Sequence, residues 1–283
     1  MSKVWFVTGS SRGLGRAFAA AALERGDRVA ATARDTAALA GLAEVHGDAV
    51  LPLALDVTDR SAAFAAVERA AEHFGRIDVV VNNAGYAQIG AVEELSEREV
   101  RDQFETNVFG ALWVVQAALP RLRAQGSGHI VQLSSVAGLV AMPLGGAYHA
   151  SKWALEGLNE ALAGEVAGFG VKVTIVEPAG FATRDGANPD PLANGHLART
   201  APAYDGLRER LAQATGGKPA GDPAAAAQTL LTIVDSPNPP LRVLFGQGFH
   251  PLIQRVYADR LKTWEEGSGL ALAAHGGSGR EDG

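Results

Sequence analysis

The sequence predicts an α/β fold in which a doubly wound parallel sheet of about seven strands carries helices on both of its faces. Short runs rich in β-branched residues alternate in regular order with longer alanine-rich amphipathic stretches, and several of the short runs are apolar nearly throughout. Continuous apolar runs are typical of parallel strands that are buried on both faces. Parallel strands that alternate with helices are joined by right-handed crossovers, which place helices on both sides of the sheet.

Each predicted strand is a short apolar run bounded by polar or turn-forming residues. The predicted strands are Val4–Thr8, Arg28–Thr32, Val50–Asp56, Ile77–Asn82, His129–Ser134, Val171–Glu177 and Leu241–Phe245. Helices are predicted at Gly13–Arg25, Ser61–Phe74, Glu97–Gln125, Ala147–Gly168, residues 203–214, a stretch that begins at Asp222-Pro223, and Pro251–Trp264. Ser96 and Glu99 have the spacing of a capping box, and Pro223 follows a capping residue. The stretch Glu97–Gln125 is long enough to predict a bend or a break.

We predict one catalytic domain over residues 1–264, because nothing in the sequence marks a linker between two cores. Residues 184–202, RDGANPDPLANGHLARTAP, are rich in Gly, Pro, Asp and Asn and continue neither a strand nor a helix period. We therefore expect residues 184–220 to form a lid over the substrate and residues 265–283 to form a mobile tail.

The composition excludes several classes of protein. With 283 residues, of which 47% are hydrophobic and 20% charged, the chain is typical of a soluble globular protein. Its net charge of −6 argues against nucleic acid or an anionic membrane as the main partner, and no apolar run approaches the ~18 residues that span a bilayer. The absence of cysteine excludes disulfides, thiolate metal sites and cysteine nucleophiles, and the seven histidines lack metal-ligand spacing, so we expect no metal. The first residues reach a glycine loop without a signal-peptide core, which predicts a cytoplasmic location.

A glycine-rich loop lies where the first strand passes into the first helix. Its residues Thr8–Gly15, TGSSRGLG, have the spacing G-x3-G-x-G, which differs from G-x-G-x-x-G and lacks the lysine of a P-loop. Glycines permit a tight turn and a close approach to a pyrophosphate, and the start of a helix offers unpaired N–H groups and a partial positive charge. The loop therefore predicts a dinucleotide site, and a glycine-rich turn without a ligand is the alternative.

The end of the second strand predicts NADP as the dinucleotide. An NAD site usually has an acid at this point, on the ribose 2′-hydroxyl, whereas this chain has Thr32-Ala33-Arg34-Asp35. Arg34 and Arg12 can bind a 2′-phosphate jointly, because guanidinium matches phosphate in a bidentate way. Asp35 leaves two interpretations open: it caps a helix that begins at Thr36, or it is the ribose acid of an NAD site.

Tyr148 and Lys152 are one turn apart in the predicted helix Ala147–Gly168, where their side chains share a face. Neither side chain titrates near neutral pH in water, since the ordinary pKa values of tyrosine and lysine are near 10 and 10.4. Taken alone, the pair is also what chance gives on many surface helices. His149 faces a different way, and we interpret it as a wall or core residue.

In combination, these motifs resemble those of the short-chain dehydrogenase/reductase family, in its compact one-domain form with a Rossmann-type fold. The resemblance extends over most of residues 3–183. Its motifs are TGxxxGxG at residues 8–15, Asp56 after the third strand, NNAG at Asn82–Gly85, Asn107 in a helix, Ser135 thirteen positions before Tyr148, YxxxK at Tyr148 and Lys152, and Pro178 with Thr183. One departure is visible: the family usually has glycine directly after that proline, whereas here Ala179 intervenes before Gly180.

The resemblance implies an oxidoreductase that interconverts a ketone or aldehyde and an alcohol by hydride transfer with NADP(H). It implies a catalytic tetrad of Asn107, Ser135, Tyr148 and Lys152. Tyr148 is expected to donate the proton that the substrate oxygen needs, and Ser135 to hold that oxygen. Asn107 is expected to anchor a water that passes protons to Lys152. Lys152 and the oxidised nicotinamide are expected to lower the pKa of Tyr148, because nearby positive charge favours the phenolate.

The resemblance also assigns the cofactor site to loops that follow the strands. The expected cofactor-binding residues are Gly9, Ser11, Arg12, Gly13, Leu14, Gly15, Arg34, Asp56, Val57, Asn83, Ala84, Gly85, Tyr148, Lys152, Pro178, Gly180, Phe181 and Thr183. Two residues have structural alternatives, Asp56 as a cap of the helix at Ser61 and Asn82 as a strand-end stabiliser. The family further implies a homodimer or homotetramer formed through the helices near 97–125 and 147–168.

Two other functions stay open. A non-catalytic NADP-binding sensor would use the same glycine loop but would have no reason to keep the tetrad together. A sugar-nucleotide epimerase or dehydratase would share YxxxK, but such chains are typically longer and have a differently spaced loop. The sequence does not identify the substrate.

Overall fold

The computed structural model of the chain, which describes residues 2–182, 196–198, 201–215 and 220–276, contains a seven-stranded parallel sheet. Its strands are β1 (Val4–Val7), β2 (Arg28–Ala33), β3 (Val50–Ala54), β4 (Val79–Asn82), β6 (Gly128–Leu133), β7 (Val171–Pro178) and β9 (Arg242–Phe245), and a separate pair is formed by β5 (Gln88–Ile89) and β8 (His196–Leu197). The order across the large sheet is β3-β2-β1-β4-β6-β7-β9. The connections change direction between β1 and β4, and such sheets bind ligands in the crevice at the carboxyl ends of these two strands.

The helices are α1 (Gly13–Glu24), α2 (Ala40–His46), α3 (Arg60–Phe74), α4 (Glu97–Phe104), α5 (Gly110–Gln125), α6 (Gly146–Val166), α7 (Asp205–Thr215), α8 (Pro223–Asp235), α9 (His250–Glu266) and α10 (Ser268–Ala274). The predicted break within residues 97–125 is a π-helical turn, Glu105–Phe109, between α4 and α5. The predicted capping box at the start of α4 is present, since the Ser96 and Glu99 side chains each accept a hydrogen bond from the other's backbone N–H.

Alternate residues of β1 point into two apolar layers, one on each face of the sheet. Trp5 and Val7 pack with buried residues of α1 and α8. Val4 and Phe6 pack with buried residues of α3, α5 and α6. Every residue of β1 is apolar because both faces of the strand are covered. The predicted doubly wound sheet with helices on both faces is therefore confirmed.

All seven predicted strands are present, with ends that differ by no more than two residues from the prediction. The sequence did not predict α2, β5 or β8. α2 has seven residues and buries only Leu42, and β5 and β8 have two residues each, so these elements are too short for a period to show.

Gly246 ends the first of two compact units, and Gln247 begins the second. The second unit contains α9, which corresponds to the predicted helix Pro251–Trp264, and α10, which lies within the predicted tail. The extent of the catalytic domain to residue 264 and the mobility of residues 265–283 stay predictions.

Candidate active site

The glycine loop connects β1 to α1 at the carboxyl edge of the sheet. Gly9 and Gly13 have φ angles of +68° and +59°, in the left-handed region that favours glycine. Arg12 occupies the N-cap position of α1, and its side chain makes no capping hydrogen bond with the described residues. The first N–H groups of α1 are therefore left for another acceptor, and their partial positive charge suits a phosphate.

The segment after β4 holds this loop in place. Thr8 Oγ1 accepts hydrogen bonds from the N–H groups of Asn83 (2.9 Å) and Ala84 (3.0 Å). The Asn83 amide donates to the carbonyl oxygens of Thr8 (2.9 Å) and Gly9 (3.2 Å). The predicted contact of residues 83–85 with the cofactor stays a prediction, but the Asn83 side chain has a structural partner that the sequence did not indicate. Asn82 donates to the carbonyl oxygen of Ala111 (3.1 Å), as a strand-end stabiliser does.

The end of β2 has the arrangement that the NADP prediction requires. Ala33 is the buried last residue of the strand, and Arg34 and Arg12 are both exposed. The Asp35 carboxylate accepts a hydrogen bond from the N–H of Ala37 (2.9 Å) and caps a short 3-10 helix that begins at Thr36. Of the two interpretations of Asp35, the structure has the helix cap.

Asp56 does not cap the helix that follows it, so that alternative was wrong. Its carboxylate accepts from the N–H and the hydroxyl of Thr58, at 3.0 and 2.8 Å. Asp59 caps α3 instead, with its carboxylate 2.9 Å from the N–H of Ala62. Capping by the nearer residue leaves Asp56 at the open edge of the sheet, next to the predicted cofactor residue Val57.

Three of the predicted catalytic side chains converge. Tyr148 and Lys152 project from α6, and Ser135 follows β6. Ser135 Oγ donates to the carbonyl oxygen of Pro178 (3.3 Å) and accepts from the N–H of Ala137 (3.1 Å). Lys152 Nζ lies 5.8 Å from the centroid of the Tyr148 ring. The two hydroxyls and the ammonium group can therefore act on one substrate oxygen and its proton.

Asn107 lies in the π-helical turn, a feature that is frequent at functional sites. Its amide donates to the carbonyl oxygen of Tyr86 (3.0 Å) and to Ser151 Oγ (3.0 Å), and its carbonyl accepts from the N–H of Tyr86 (3.1 Å). Ser151 Oγ donates in turn to the carbonyl oxygen of Tyr148 (2.7 Å). The Asn107 side chain thus fixes the backbone on either side of the site, and the water that it is expected to anchor stays a prediction.

Burial moves the pKa values of Tyr148 and Lys152 in opposite directions. Burial raises the pKa of Tyr148, and only the hydrogen bond with Ser135 acts to lower it. Burial lowers the pKa of Lys152 to about 8, opposed by the charge of Glu156. The Lys152 ammonium group donates to the carbonyl oxygen of Leu133 (2.8 Å), and the lowering of the Tyr148 pKa that we expect from its charge stays a prediction. The contribution of a nicotinamide charge stays a prediction.

His149 is a core residue, as interpreted from the sequence. Its side chain is buried, Nδ1 lies 2.9 Å from the carbonyl oxygen of Ala137, and Nε2 accepts from the N–H of Met142 at 3.1 Å. Since the acceptor nitrogen is Nε2, the donor is Nδ1–H and the ring is neutral. His149 therefore fixes the loop between Ser135 and Tyr148.

Ala179, the departure from the family's pattern, lies directly after β7. Its N–H donates to the carbonyl oxygen of Phe245 (2.8 Å), which continues the pairing of β7 with β9 by one residue. Gly180 then accepts from the N–H of Gly221 (2.9 Å), and the ring of Phe181 packs against Gly221. The predicted cofactor residue Thr183 lies outside the described residues.

Part of the predicted lid is described. Tyr204, Leu207 and Leu211 pack on an apolar cluster formed by Ile89, Ala91 and Leu144. Glu94 accepts from the N–H of Ala201 (2.5 Å) and pairs with Arg208. Residues 184–195, 199–200 and 216–219 of this segment lie outside the described residues.

Two aromatic side chains beside the site were missed by the sequence analysis. The rings of Tyr86 and His196 are 4.7 Å apart between centroids, and His196 is in β8, which pairs with β5. No motif or period includes them, so the pairing of β5 with β8 was needed to find them.

In the part of the chain that the structure describes, no helix has the length and apolar character needed to cross a membrane, and no three His, Asp or Glu side chains are grouped as metal ligands would be.

Comparison with known proteins agrees with this geometry. The short chain dehydrogenase family model matches residues 3–190. An oxidoreductase of Botryotinia fuckeliana is 44% identical over 251 residues, which are 87% of this chain and 89% of that protein. The crystal structure of a short-chain dehydrogenase from Streptomyces avermitilis is 39% identical, with a TM-score of 0.86 over 96% of this chain and 98% of its own.

Two further solved structures contain different cofactors. An alcohol dehydrogenase from Thermococcus sibiricus, complexed with 5-hydroxy-NADP, is 25% identical with a TM-score of 0.70 and covers 87% of this chain and 96% of its own. A short chain dehydrogenase/reductase from Burkholderia phymatum, in complex with NAD, is 27% identical with a TM-score of 0.76 and covers 95% of each chain. The fold is therefore compatible with either cofactor, and the choice between them depends on individual residues.

Proposed function

The chain belongs to the short-chain dehydrogenase family and is an oxidoreductase, and from this premise we propose that it interconverts a ketone or aldehyde and the corresponding alcohol with NADP(H). The observation that carries the proposal is the convergence of Ser135, Tyr148 and Lys152. Two hydroxyl side chains, with a buried ammonium group 5.8 Å from the centroid of the phenol ring, suit one substrate oxygen that gains or loses a proton.

The chemistry divides between cofactor and protein. When bound, the nicotinamide supplies a hydride to the carbonyl carbon or accepts one from the alcohol carbon. Ser135 and Tyr148 bind the substrate oxygen, and Tyr148 donates its proton to that oxygen as negative charge develops there. In the alcohol direction the phenolate of Tyr148 takes the proton back. Lys152 stabilises the phenolate with its charge and donates hydrogen bonds to the ribose hydroxyls.

The residues around the glycine loop fit a dinucleotide. The uncapped start of α1 suits the pyrophosphate, and the left-handed φ angles of Gly9 and Gly13 form the tight turn that leads to it. Asp56 would contact the adenine and residues 83–85 the adjoining ribose, while Pro178, Gly180, Phe181 and Thr183 would lie along the nicotinamide.

NADP is the preferred cofactor in this proposal. Ala33 leaves no acid at the end of β2, and the Asp35 carboxylate is engaged by the N–H of Ala37. Arg12 and Arg34 are both exposed and would flank the adenosine ribose of a bound cofactor. A 2′-phosphate adds negative charge that the two guanidinium groups can bind.

The proposal includes a homodimer or homotetramer formed through α4, α5 and α6, and a cytoplasmic location. Exposed apolar side chains on these helices and the turn between them, Phe109, Trp153 and Leu158, support an interface there.

A spectrophotometric screen tests the function. NADPH oxidation is followed with a varied panel of ketones and aldehydes, with the Tyr148→Phe protein as the control for background oxidation. Turnover by the unaltered protein alone is the expected result. Tight NADPH binding without turnover on any member of the panel would instead favour the sensor.

A further inference from the structure

A second layer of polar side chains lies directly behind the candidate active site. Each of the three segments that form the site contributes one member: Ser134 precedes Ser135, Glu177 precedes Pro178, and Glu156 follows Lys152 by one helical turn. All three side chains are buried, with Glu156 7% and Glu177 2% exposed. Two buried carboxyl groups so close to a site are unusual unless they are paired, because burial penalises a charged carboxylate.

Arg242 of β9 links the two carboxyl groups. Its Nε lies 3.0 Å from Glu156 Oε2 and 3.8 Å from Glu177 Oε1, and its Nη2 lies 2.8 Å from Glu160 Oε2. Glu177 Oε1 is buried and makes no hydrogen bond with the described residues. One guanidinium group therefore faces two buried carboxyl groups, which cannot both be ionised without strong repulsion.

Gly138 permits this layer to form. A Cβ at that position would lie 2.6 Å from Ser134 Oγ and 3.2 Å from Glu156 Oε1, so only glycine leaves room for both groups. The layer is thus in contact with the turn that follows Ser135.

The charge of the layer bears on Lys152. This side chain is 6% exposed, and burial brings its pKa down to about 8, close to the neutral range. Glu156 is the group whose charge opposes that decrease. Glu177 has its pKa raised to about 7, by burial first and then by the charge of Glu156. Burial raises the pKa of Glu156 as well, and the hydrogen bond and the charge of Arg242 are among the causes that act to lower it. Among the described residues, the other charged or titratable groups that face the layer are Tyr148 and Glu160 on α6 and Arg242 on β9.

We propose that Glu156 is a positioning residue of the reaction: its carboxylate, held by Arg242, keeps the buried Lys152 in the ammonium form, and Glu177 carries the proton that prevents two adjacent carboxylates from ionising together. The mechanistic part of this inference rests on the proposed function, because it is there that the Lys152 ammonium assists Tyr148. The effect of the Glu156 charge on the protonation of Lys152 does not depend on the proposed function.

Direct titration of Lys152 tests the inference without any turnover. The chain has five lysines, so the protein labelled with ¹³C at the lysine side chains gives few signals, and Lys152→Arg assigns the one of interest. In Glu156→Gln the midpoint of Lys152 should move to lower pH than in the unaltered protein. Glu160→Gln is the matched control: this residue binds the same arginine from the same helix, but its side chain is 64% exposed, so the midpoint should stay in place.

Glu156→Asp and the pH dependence of carbonyl reduction distinguish a positioning role of Glu156 from a purely structural one. Glu156→Asp keeps the charge, so its Lys152 midpoint should lie closer to that of the unaltered protein than the midpoint of Glu156→Gln does. In carbonyl reduction, the loss of activity at high pH should move to lower pH in Glu156→Gln and stay in place in Glu160→Gln. An unchanged Lys152 midpoint in Glu156→Gln would overturn the inference. If the Lys152 midpoint shifts in Glu156→Gln but the unaltered protein reduces no carbonyl, the effect of Glu156 on Lys152 is supported and the proposed function is rejected.

If the Glu156→Gln protein does not fold, a second measurement on the unaltered protein tests the inference. Labelling the side-chain carboxyl groups of glutamate in the unaltered protein reports their ionisation directly. A Glu156 carboxylate that is ionised while Glu177 is protonated near neutral pH supports the inference. A Glu156 that is neutral throughout the range in which Lys152 titrates overturns it.

Discussion

The Asn83 side chain fills the space that a Cβ on Gly15 would need: that position lies 2.3 Å from Asn83 Nδ2 and 2.5 Å from the carbonyl oxygen of Gly9. The same Nδ2 donates to the carbonyl oxygens of Thr8 and Gly9. The glycine loop and the segment after β4 are therefore one interlocked unit, although 68 residues separate Gly15 from Asn83 in the sequence.

Gly15→Ala is expected to destabilise the protein and to weaken cofactor binding. The added methyl group must displace either the Asn83 amide or the backbone of Gly9, and overpacking of this kind costs about 1–3 kcal/mol. Thermal unfolding and NADPH affinity measure the two effects. Gly164→Ala on α6 is the control, since no atom lies within 4 Å of its added methyl group and alanine is the better helix former by about 1 kcal/mol. Equal melting temperatures for the two variants would contradict this account.

The sequence was sufficient for the fold because each strand of the large sheet is a separate apolar run with turn-forming ends. The helical spacing predicted that Tyr148 and Lys152 share a face, and the resemblance to the family implied that Ser135 lies beside them. The sequence did not predict the role of Asn83, because a clamp depends on the close approach of two loops and leaves no period. The raised pKa of Tyr148 was missed for a similar reason: burial and the direction of the Lys152 ammonium are properties of the packed chain.

Arg34→Asp is expected to erase or reverse the cofactor preference. The unaltered protein should favour NADPH over NADH by at least about tenfold, on the order of 1.4 kcal/mol. Arg34→Lys is the matched control, because it keeps the charge but loses the bidentate fork and should give an intermediate preference. Dissociation constants for both cofactors check the three proteins. Equal affinity of the unaltered protein for NADPH and NADH would refute the preference and return Asp35 to consideration as a ribose ligand.

Glu94→Gln is expected to loosen residues 201–215. The Glu94 pKa is lowered to about 2, first by the hydrogen bond from the N–H of Ala201 and then by the one from Arg208. Because the folded-state pKa lies below the ordinary 4.5, the stabilisation is present above pH 4.5 and is lost as the pH falls toward 2. Hydrogen exchange at neutral pH should therefore be faster for this segment in the variant.

Glu97→Gln is the control for this experiment, since among the described residues the hydrogen bond and ion pair of the Glu97 side chain are with Arg101 on α4. If the segment belongs to a lid, NADPH and substrate together should slow its exchange in the unaltered protein. Strong protection that is the same with and without ligands would identify it as fixed structure.

His129 is expected to make the protein sensitive to acid. The side chain is buried, and Thr174 Oγ1, which donates to the carbonyl oxygen of Pro240, accepts from Nε2–H at 2.9 Å. His129 Nδ1 is buried without a hydrogen-bond partner among the described residues, which favours the neutral ring because a proton there would be unsatisfied. Burial lowers the pKa of His129 from 6.5 to about 4. The contribution of the neutral ring to the free energy of unfolding is therefore complete above pH 6.5 and declines as the pH falls toward 4. The full contribution is on the order of 3 kcal/mol. Chemical denaturation across this range measures it.

His129→Gln should flatten this part of the stability curve, whereas the exposed His250→Gln should leave it unchanged. Parallel curves for His129→Gln and the unaltered protein would assign the acid sensitivity to other groups.

Tyr148→Phe is expected to lower turnover by roughly 10²-fold or more, because it removes the proton donor and keeps the ring packing. NADPH affinity should change little, since the phenol is not needed to hold the phosphates. Lys152→Ala should damage both turnover and NADPH affinity, because the lysine is proposed to bind the ribose and to assist Tyr148. The double variant should lose less than the sum of the two separate losses, as residues that act as a unit do.

Carbonyl reduction is expected to be constant near neutral pH and to fall as the pH rises through about 8, where Lys152 loses its proton. Burial moves the Lys152 pKa down from 10.5, so the ammonium form is lost at lower pH than in water. Tyr148 does not explain such a decline, because burial raises its pKa and the phenol keeps its proton over this range. Lys152→Arg keeps a positive charge beyond pH 12 and should abolish the decline while retaining part of the activity. Rate profiles of the two proteins decide between the groups: a decline that persists in Lys152→Arg belongs to another residue. A normal rate in Tyr148→Phe would mean that the tyrosine and the lysine are neighbours on α6 by chance.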